Sequence, residues 1–137
     1  MENLRMHHVG IVMMSRERAE DFLRIFGFEI EREEYVEVYA AQCIFTKHRP
    51  GETAIELIVP DRGVLTQYNG GKGGLHHIAL ETRDAEATRA RFEKDGRGML
   101  EKAAVPGACG IIVNFLRPRF GAGILVEFVE RVAHDAV

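Results

Sequence analysis

The sequence repeats itself at half its length, and a duplicated half-chain restricts the fold to architectures built from two copies of one unit. His7-His8-Val9-Gly10-Ile11 returns 69 positions later as His76-His77-Ile78-Ala79-Leu80. The same shift carries Gly27 onto Gly96, each closing a polar, helix-like stretch. Ala54-Ile55-Glu56-Leu57-Ile58 returns as Leu125-Val126-Glu127-Phe128-Val129 at an offset of 71, so loops must absorb a two-residue drift. The 137 residues therefore read as one domain over 1–137, made of two repeats, about 4–60 and 73–131, joined by a glycine-rich arm.

Each repeat has the signals of one strand, one helix and then further strands. Met6 to Met13 is an apolar run that ends at Ser15, a good N-cap. Ala19, Phe22, Leu23 and Phe26 follow at i, i+3, i+4 and i+7, one face of a helix, and Gly27 suits the position just past its end. Phe28 to Glu34, Val36 to Thr46 and Thr53 to Val59 are the strand candidates, with His48-Arg49-Pro50-Gly51 as a turn. In the second repeat Leu75 to Glu81 is a strand, and Asp84 caps a helix that runs to about Asp95 on a thin apolar stripe of Ala85, Ala87 and Phe92. Met99 to Ala103, Gly110 to Leu116 and Gly123 to Glu130 complete it. In the arm from Pro60 to Gly74, Val64, Leu65 and Tyr68 are placed for a short helical turn. The order predicts an α+β fold of two βαβββ modules.

Composition narrows the class of function. Eighteen basic residues against 21 acidic leave a net charge of −3, without the clustered basic excess of a nucleic-acid binder. Nothing approaches the ~20 apolar residues of a membrane span, and the N-terminus lacks a signal peptide's apolar core. Cys43 and Cys109 are too few for a disulfide scaffold and lack metal-ligand spacing, so they read as small hydrophobes in a reducing compartment. These features lead us to expect a cytoplasmic protein with no nucleic-acid or membrane partner.

Polar residues inside the apolar strands carry the chemistry. Each repeat places a His-His pair in its first strand and a glutamate, Glu56 or Glu127, in its last. Taken singly, such residues would face solvent while their neighbours fill the core. If the modules' sheets form one curved, cup-like mixed sheet, equivalent positions converge, and two imidazoles and two carboxylates share a concavity. Without a cation that grouping is costly. Two N and two O donors suit one divalent first-row ion (Co, Mn, Ni, Fe or Zn) with positions left open for substrate. The repeat alone does not say which histidine of each pair serves.

Several segments together resemble the vicinal oxygen chelate superfamily of glyoxalases, bleomycin-resistance proteins and dioxygenases, and within it the methylmalonyl-CoA epimerases. They are His8-Val9-Gly10, Ile55-Glu56-Leu57-Ile58-Val59-Pro60, Gly74-Leu75-His76-His77-Ile78-Ala79-Leu80-Glu81, Asn114-Phe115-Leu116-Arg117-Pro118 and Gly123-Ile124-Leu125-Val126-Glu127. The resemblance implies a central metal site with His8, Glu56, His77 and Glu127 as ligands. It leaves His7 and His76 to face the opposite side. Arg117 and Arg119 stand where the family more often has His and Lys.

An enzyme of this kind would be an epimerase that removes the α-proton of methylmalonyl-CoA or a similar acyl thioester through a metal-stabilised enolate. Glu127 is the first candidate for a base. Glu37, on the strand candidate 36–46, is a candidate for the second, with Gln42 competing in an alternative register. A glyoxalase I-like lyase acting on a glutathione hemithioacetal is the nearest rival, although the usual Asp-Pro-Asp-Gly-Tyr turn is absent. A dioxygenase would need only two histidines and one carboxylate, leaving Glu56 unexplained. A non-enzymatic ligand-binding protein would not need all four. Any of Lys47, His48, Arg49, Lys72, Arg117 and Arg119 could meet coenzyme A phosphates, and exposed sheet edges suggest a homodimer.

Overall fold

The apolar runs of the sequence become strands whose two faces are sorted by the pleat. The computed structural model describes residues 3–132; the ends of the 1–137 span, residues 1–2 and 133–137, lie outside the described residues. The described chain divides into two compact units, one from His8 to His76 and the other from His77 onward together with the residues up to His7.

The elements of the first repeat are β1 (Arg5–Val12), α1 (Arg16–Phe26), β2 (Ile30–Val36), β3 (Ala41–Thr46) and β4 (Ala54–Pro60). The His8–His76 unit has the strand order β2-β3-β4-β1, with β1 parallel to β4 and the other pairings antiparallel. Helix α1 starts where Ser15 accepts a hydrogen bond from the Arg18 amide (3.1 Å) and ends at Gly27 in the left-handed region (φ 70°). It buries Ala19 and Leu23 against Ile44 and Leu57, with Ile11, Ile55 and Val59 beside them. That apolar layer claims one face of the sheet.

The second unit repeats the plan with β5 (Gly74–Glu81), α3 (Ala85–Lys94), β6 (Val105–Pro106), β7 (Ile111–Leu116) and β8 (Val126–Arg131). Its strand order is β5-β8-β7-β6, again with the first and last strands parallel. Helix α3 departs from the expected stripe: Ala85 and Thr88 are buried and Phe92 is half-buried, whereas Ala87 is exposed, and polar bonds help hold the helix. Asp84 accepts from the Ala87 amide (3.0 Å), Glu130 accepts from the Ala85 amide (2.8 Å), and the hydroxyls of Thr82 and Thr88 meet at 2.7 Å. Phe92 docks on buried Phe128, with ring centroids 5.0 Å apart, in a cluster with Met99, Leu116 and Val126. The expected α+β order, βαβββ twice with a mixed sheet, is borne out.

Two expected strands are corrected. Val36 to Thr46 is not continuous: a 3-10 turn at Glu37–Tyr39 interrupts it, and Ala40 takes a left-handed conformation (φ 51°). Met99 to Ala103 makes only the single bridge from Met99 to Leu116. There Glu101 intervenes, its carboxylate accepting from the Phe115 amide (2.8 Å) and the Asn114 side chain (2.6 Å) in place of a strand ladder. Pairing resumes at Val105–Pro106. In the arm, the expected helical turn is a 3-10 turn (Val64–Gln67), which leads into a tight segment, α2 (Tyr68–Gly71), where Asn69 and Gly70 take left-handed conformations (φ 53° and 66°). Among the described residues no helix is long and apolar enough to cross a membrane.

Candidate metal centre

In each unit the face opposite the helix carries a buried histidine–glutamate pair. His8 on β1 is fully buried, and its Nε2 lies 3.2 Å from Oε1 of Glu56 on β4. His77 on β5 places Nε2 3.4 Å from Oε1 of Glu127 on β8. Neither carboxylate is exposed, with Glu56 at 7% and Glu127 at 5%. Both pairs arise from the same register. Gly10, two residues after His8, is the Cα partner of Glu56, and Ala79, two residues after His77, is the partner of Glu127. The parallel pairing of first and last strand thus sets the imidazole and the carboxylate on one diagonal, and the repeat builds that diagonal twice.

An aromatic ring completes each pair, and the sequence reading missed it. Phe45 on β3 is the cross-strand partner of Glu56 and meets the His8 ring edge-on, with centroids 5.1 Å apart. Phe115 on β7 is the partner of Glu127 and meets His77 in the same way at 5.6 Å. Its signal was available: both phenylalanines occupy the same place in the repeat, on the strand antiparallel to the glutamate strand. Such rings dry the surroundings of the polar pairs and strengthen every electrostatic interaction there.

The neighbouring histidines take other surroundings. His7 is buried, whereas His76 is half-buried with its ring 5.0 Å from Tyr68. The residues considered for a second base lie away from Glu56. Glu37 sits on the 3-10 turn rather than on a strand, its side chain 81% exposed and 3.0 Å from Arg62. Gln42 is on β3, but one residue out of phase with Cys43 and Phe45, so it shares the helix side of the sheet with Ile44. Its amide donates to Glu33 (2.8 Å), which also accepts from Arg16 of α1 (2.6 and 3.2 Å). The Arg16 guanidinium, with Gln42 assisting, holds the Glu33 carboxyl below the usual carboxylate range.

The donor set fits a divalent ion. Burying two carboxylates is expensive unless positive charge compensates them, and two imidazole nitrogens with two carboxylate oxygens are what a first-row dication accepts. One unit offers His8 and Glu56 as such donors, and the other offers His77 and Glu127.

A duplicated βαβββ chain carrying such pairs defines a class of protein. The model of the Glyoxalase/Bleomycin resistance protein/Dioxygenase superfamily matches residues 7–115, and the chain belongs to that superfamily. Among its relatives, mouse mitochondrial methylmalonyl-CoA epimerase is 28% identical over 131 residues, 92% of this chain and 72% of the relative. A methylmalonyl-CoA epimerase solved with methylmalonyl-CoA and NH4+ superposes with a TM-score of 0.86 at 28% identity, covering 96% of this chain and 97% of the other. A Streptomyces coelicolor methylmalonyl-CoA epimerase variant bound to 2-nitronate-propionyl-CoA gives 0.85 at 29%, with the same coverage. The fold is the one these epimerases share.

Proposed function

We propose that this protein is a metal-dependent epimerase that acts on methylmalonyl-CoA, or a similar acyl thioester, by removing the α-proton and returning it on the opposite face. The observation that carries this reading is the buried His–Glu diagonal, built twice in a chain similar over nearly its whole length to methylmalonyl-CoA epimerases. His8, Glu56, His77 and Glu127 would hold one divalent cation. When bound, that cation supplies the Lewis acidity that makes a thioester carbonyl an electron sink and acidifies its α-carbon.

The side chains divide the remaining work. Glu127 is the base, placed on a rigid central strand with its carboxylate kept dry by Phe115. His77 beside it orients that carboxylate, and His8 orients Glu56. Phe45 and Phe115 exclude water, which protects a carbanion-like species from indiscriminate protonation. Glu37 is retained as the second acid–base group only if the turn that carries it moves, because Arg62 and solvent now surround its carboxylate. The reading includes a cytoplasmic location and a homodimer, the latter read by sedimentation.

The test is to incubate the metal-loaded protein with methylmalonyl-CoA in deuterated water and follow α-hydrogen exchange by mass spectrometry. Exchange that disappears on chelation and falls at least ten-fold in Glu127→Gln is the expected result. Formation of a hydroxyacyl-glutathione from methylglyoxal and glutathione, without that exchange, would replace this reading with a glyoxalase one.

A further inference from the structure

We infer that Arg32 is the anchor for the free carboxylate of the acyl group and so determines specificity for malonyl-type thioesters. The inference rests on the epimerase reading above. It comes from a row of residues that crosses the His8–His76 sheet. In β2, Arg32 is the cross-strand partner of Phe45; Phe45 is the partner of Glu56 in β4; and Glu56 is the partner of Gly10 in β1. Directly opposed residues share a face, and the Phe45 ring touches His8. Arg32 therefore lies on the face of the His8–Glu56 pair.

The opposite face supplies an independent check. Glu33, the next residue of β2, reaches Arg16 on α1, while its cross-strand partner Ile44 packs in the core beneath that helix. With Glu33 committed to the helix side, alternation sends Arg32 to the other. An irregularity in the pairing between Ile30 and Arg32 sets this phase. Arg32 is half-buried.

Charge and reach then argue for the role. A dication with two glutamates is neutral, so a substrate carboxylate brings an uncompensated negative charge, and removal of the α-proton adds a second. Among the described strand residues of this face in the unit, Arg32 is the one lysine or arginine, with Glu34 two residues further along β2. Two inter-strand spacings of about 4.8 Å separate its backbone from that of Glu56, a span that an extended arginine covers in large part. The guanidinium fork matches a carboxylate in two parallel hydrogen bonds.

The repeat marks the residue as special. In the other unit the Phe115 amide donates to the carboxylate of Glu101, an acidic group where a strand partner would have stood. The two modules match at the histidine, the glutamate and the phenylalanine and differ here. A fold requirement would be met twice, whereas a substrate with one carboxylate needs one such residue.

The experiment titrates malonyl-CoA and propionyl-CoA, which share every coenzyme A phosphate, into the metal-loaded protein by calorimetry. Wild type should bind malonyl-CoA at least ten-fold more tightly, and Arg32→Met should bring the two within about two-fold by weakening malonyl-CoA alone. Arg32→Lys keeps charge without the fork and should lose several-fold of the preference; it carries the comparison if Arg32→Met fails to fold. Equal weakening of both ligands in Arg32→Met would reassign the residue to phosphate contact or to a structural role and overturn the proposal, as would an unchanged ratio in either variant. Absence of α-exchange in wild type, with the malonyl preference intact, would refute the epimerase reading and leave the anchor standing.

Discussion

Gly73 is the position where one methyl group should do most damage. It lies at the end of the arm, just before β5, with a left-handed φ of 73°, and an ideal Cβ there would stand 2.4 Å from the carbonyl oxygen of Val12 and 3.2 Å from its carbon. Ordinary contact begins near 3.4 Å, so the backbone of β1 or of the arm must yield about 1 Å. Gly27 provides the control, because its φ is 70° and nothing lies within 4 Å of its Cβ position. Gly27→Ala should cost only the left-handed conformation of an alanine, about 1 kcal/mol. Gly73→Ala adds a clash with backbone rather than with a pliable side chain, and should cost about 3 kcal/mol in total. The reduction in unfolded-state entropy is common to both and cancels in the comparison. With a urea slope of about 2 kcal/mol/M, the midpoint should fall about 0.5 M for Gly27→Ala and about 1.5 M for Gly73→Ala. Midpoints that drop equally would show that no close approach exists at Gly73, and the reasoning would be refuted.

Three further outcomes follow from the packing and charge of the two units. Phe128→Ala empties the centre of the cluster under α3 and should cost about 3–5 kcal/mol in urea or thermal unfolding. In the proposed metal centre Glu56→Gln removes one negative oxygen donor, and the folded, metal-loaded variant should yield the ion to a chelator at least ten-fold more readily than wild type, read by elemental analysis. Glu33→Gln tests the ion pair with α1: because the folded carboxyl is held below its ordinary value, its contribution is present above the unfolded pKa of about 4.3 and is lost as pH falls through the folded value. The variant should be less stable than wild type at pH 7 by no more than about 1 kcal/mol, as suits a surface pair, with the difference shrinking as pH drops below about 4.

The helices and most strands were legible because local chemistry decides them. Ser15, Gly27 and Asp84 sit where the chain needs a cap, and each performs it. The candidate ligands were legible because a polar residue in the middle of an apolar strand, repeated half a chain later, has few explanations. Glu37 was misplaced because a left-handed Ala40 breaks the strand, and nothing in the composition of that run announces it. The run at Met99 to Ala103 has strand residues, but Glu101 takes the Phe115 amide that a ladder would have used.

By itself the sequence determined the duplication, the order of elements and the residue types of the proposed metal centre, all of which depend on spacing and periodicity along one chain. Which face each side chain occupies was decided only by tertiary structure. A shift of one residue in strand pairing moves a side chain to the other side of the sheet. The irregularity in β2 and the packing of α1 on Ile44 and Leu57 settle that phase. They send Gln42 and Glu33 to the helix side and set Arg32 and Phe45 on the face that carries the His8–Glu56 pair.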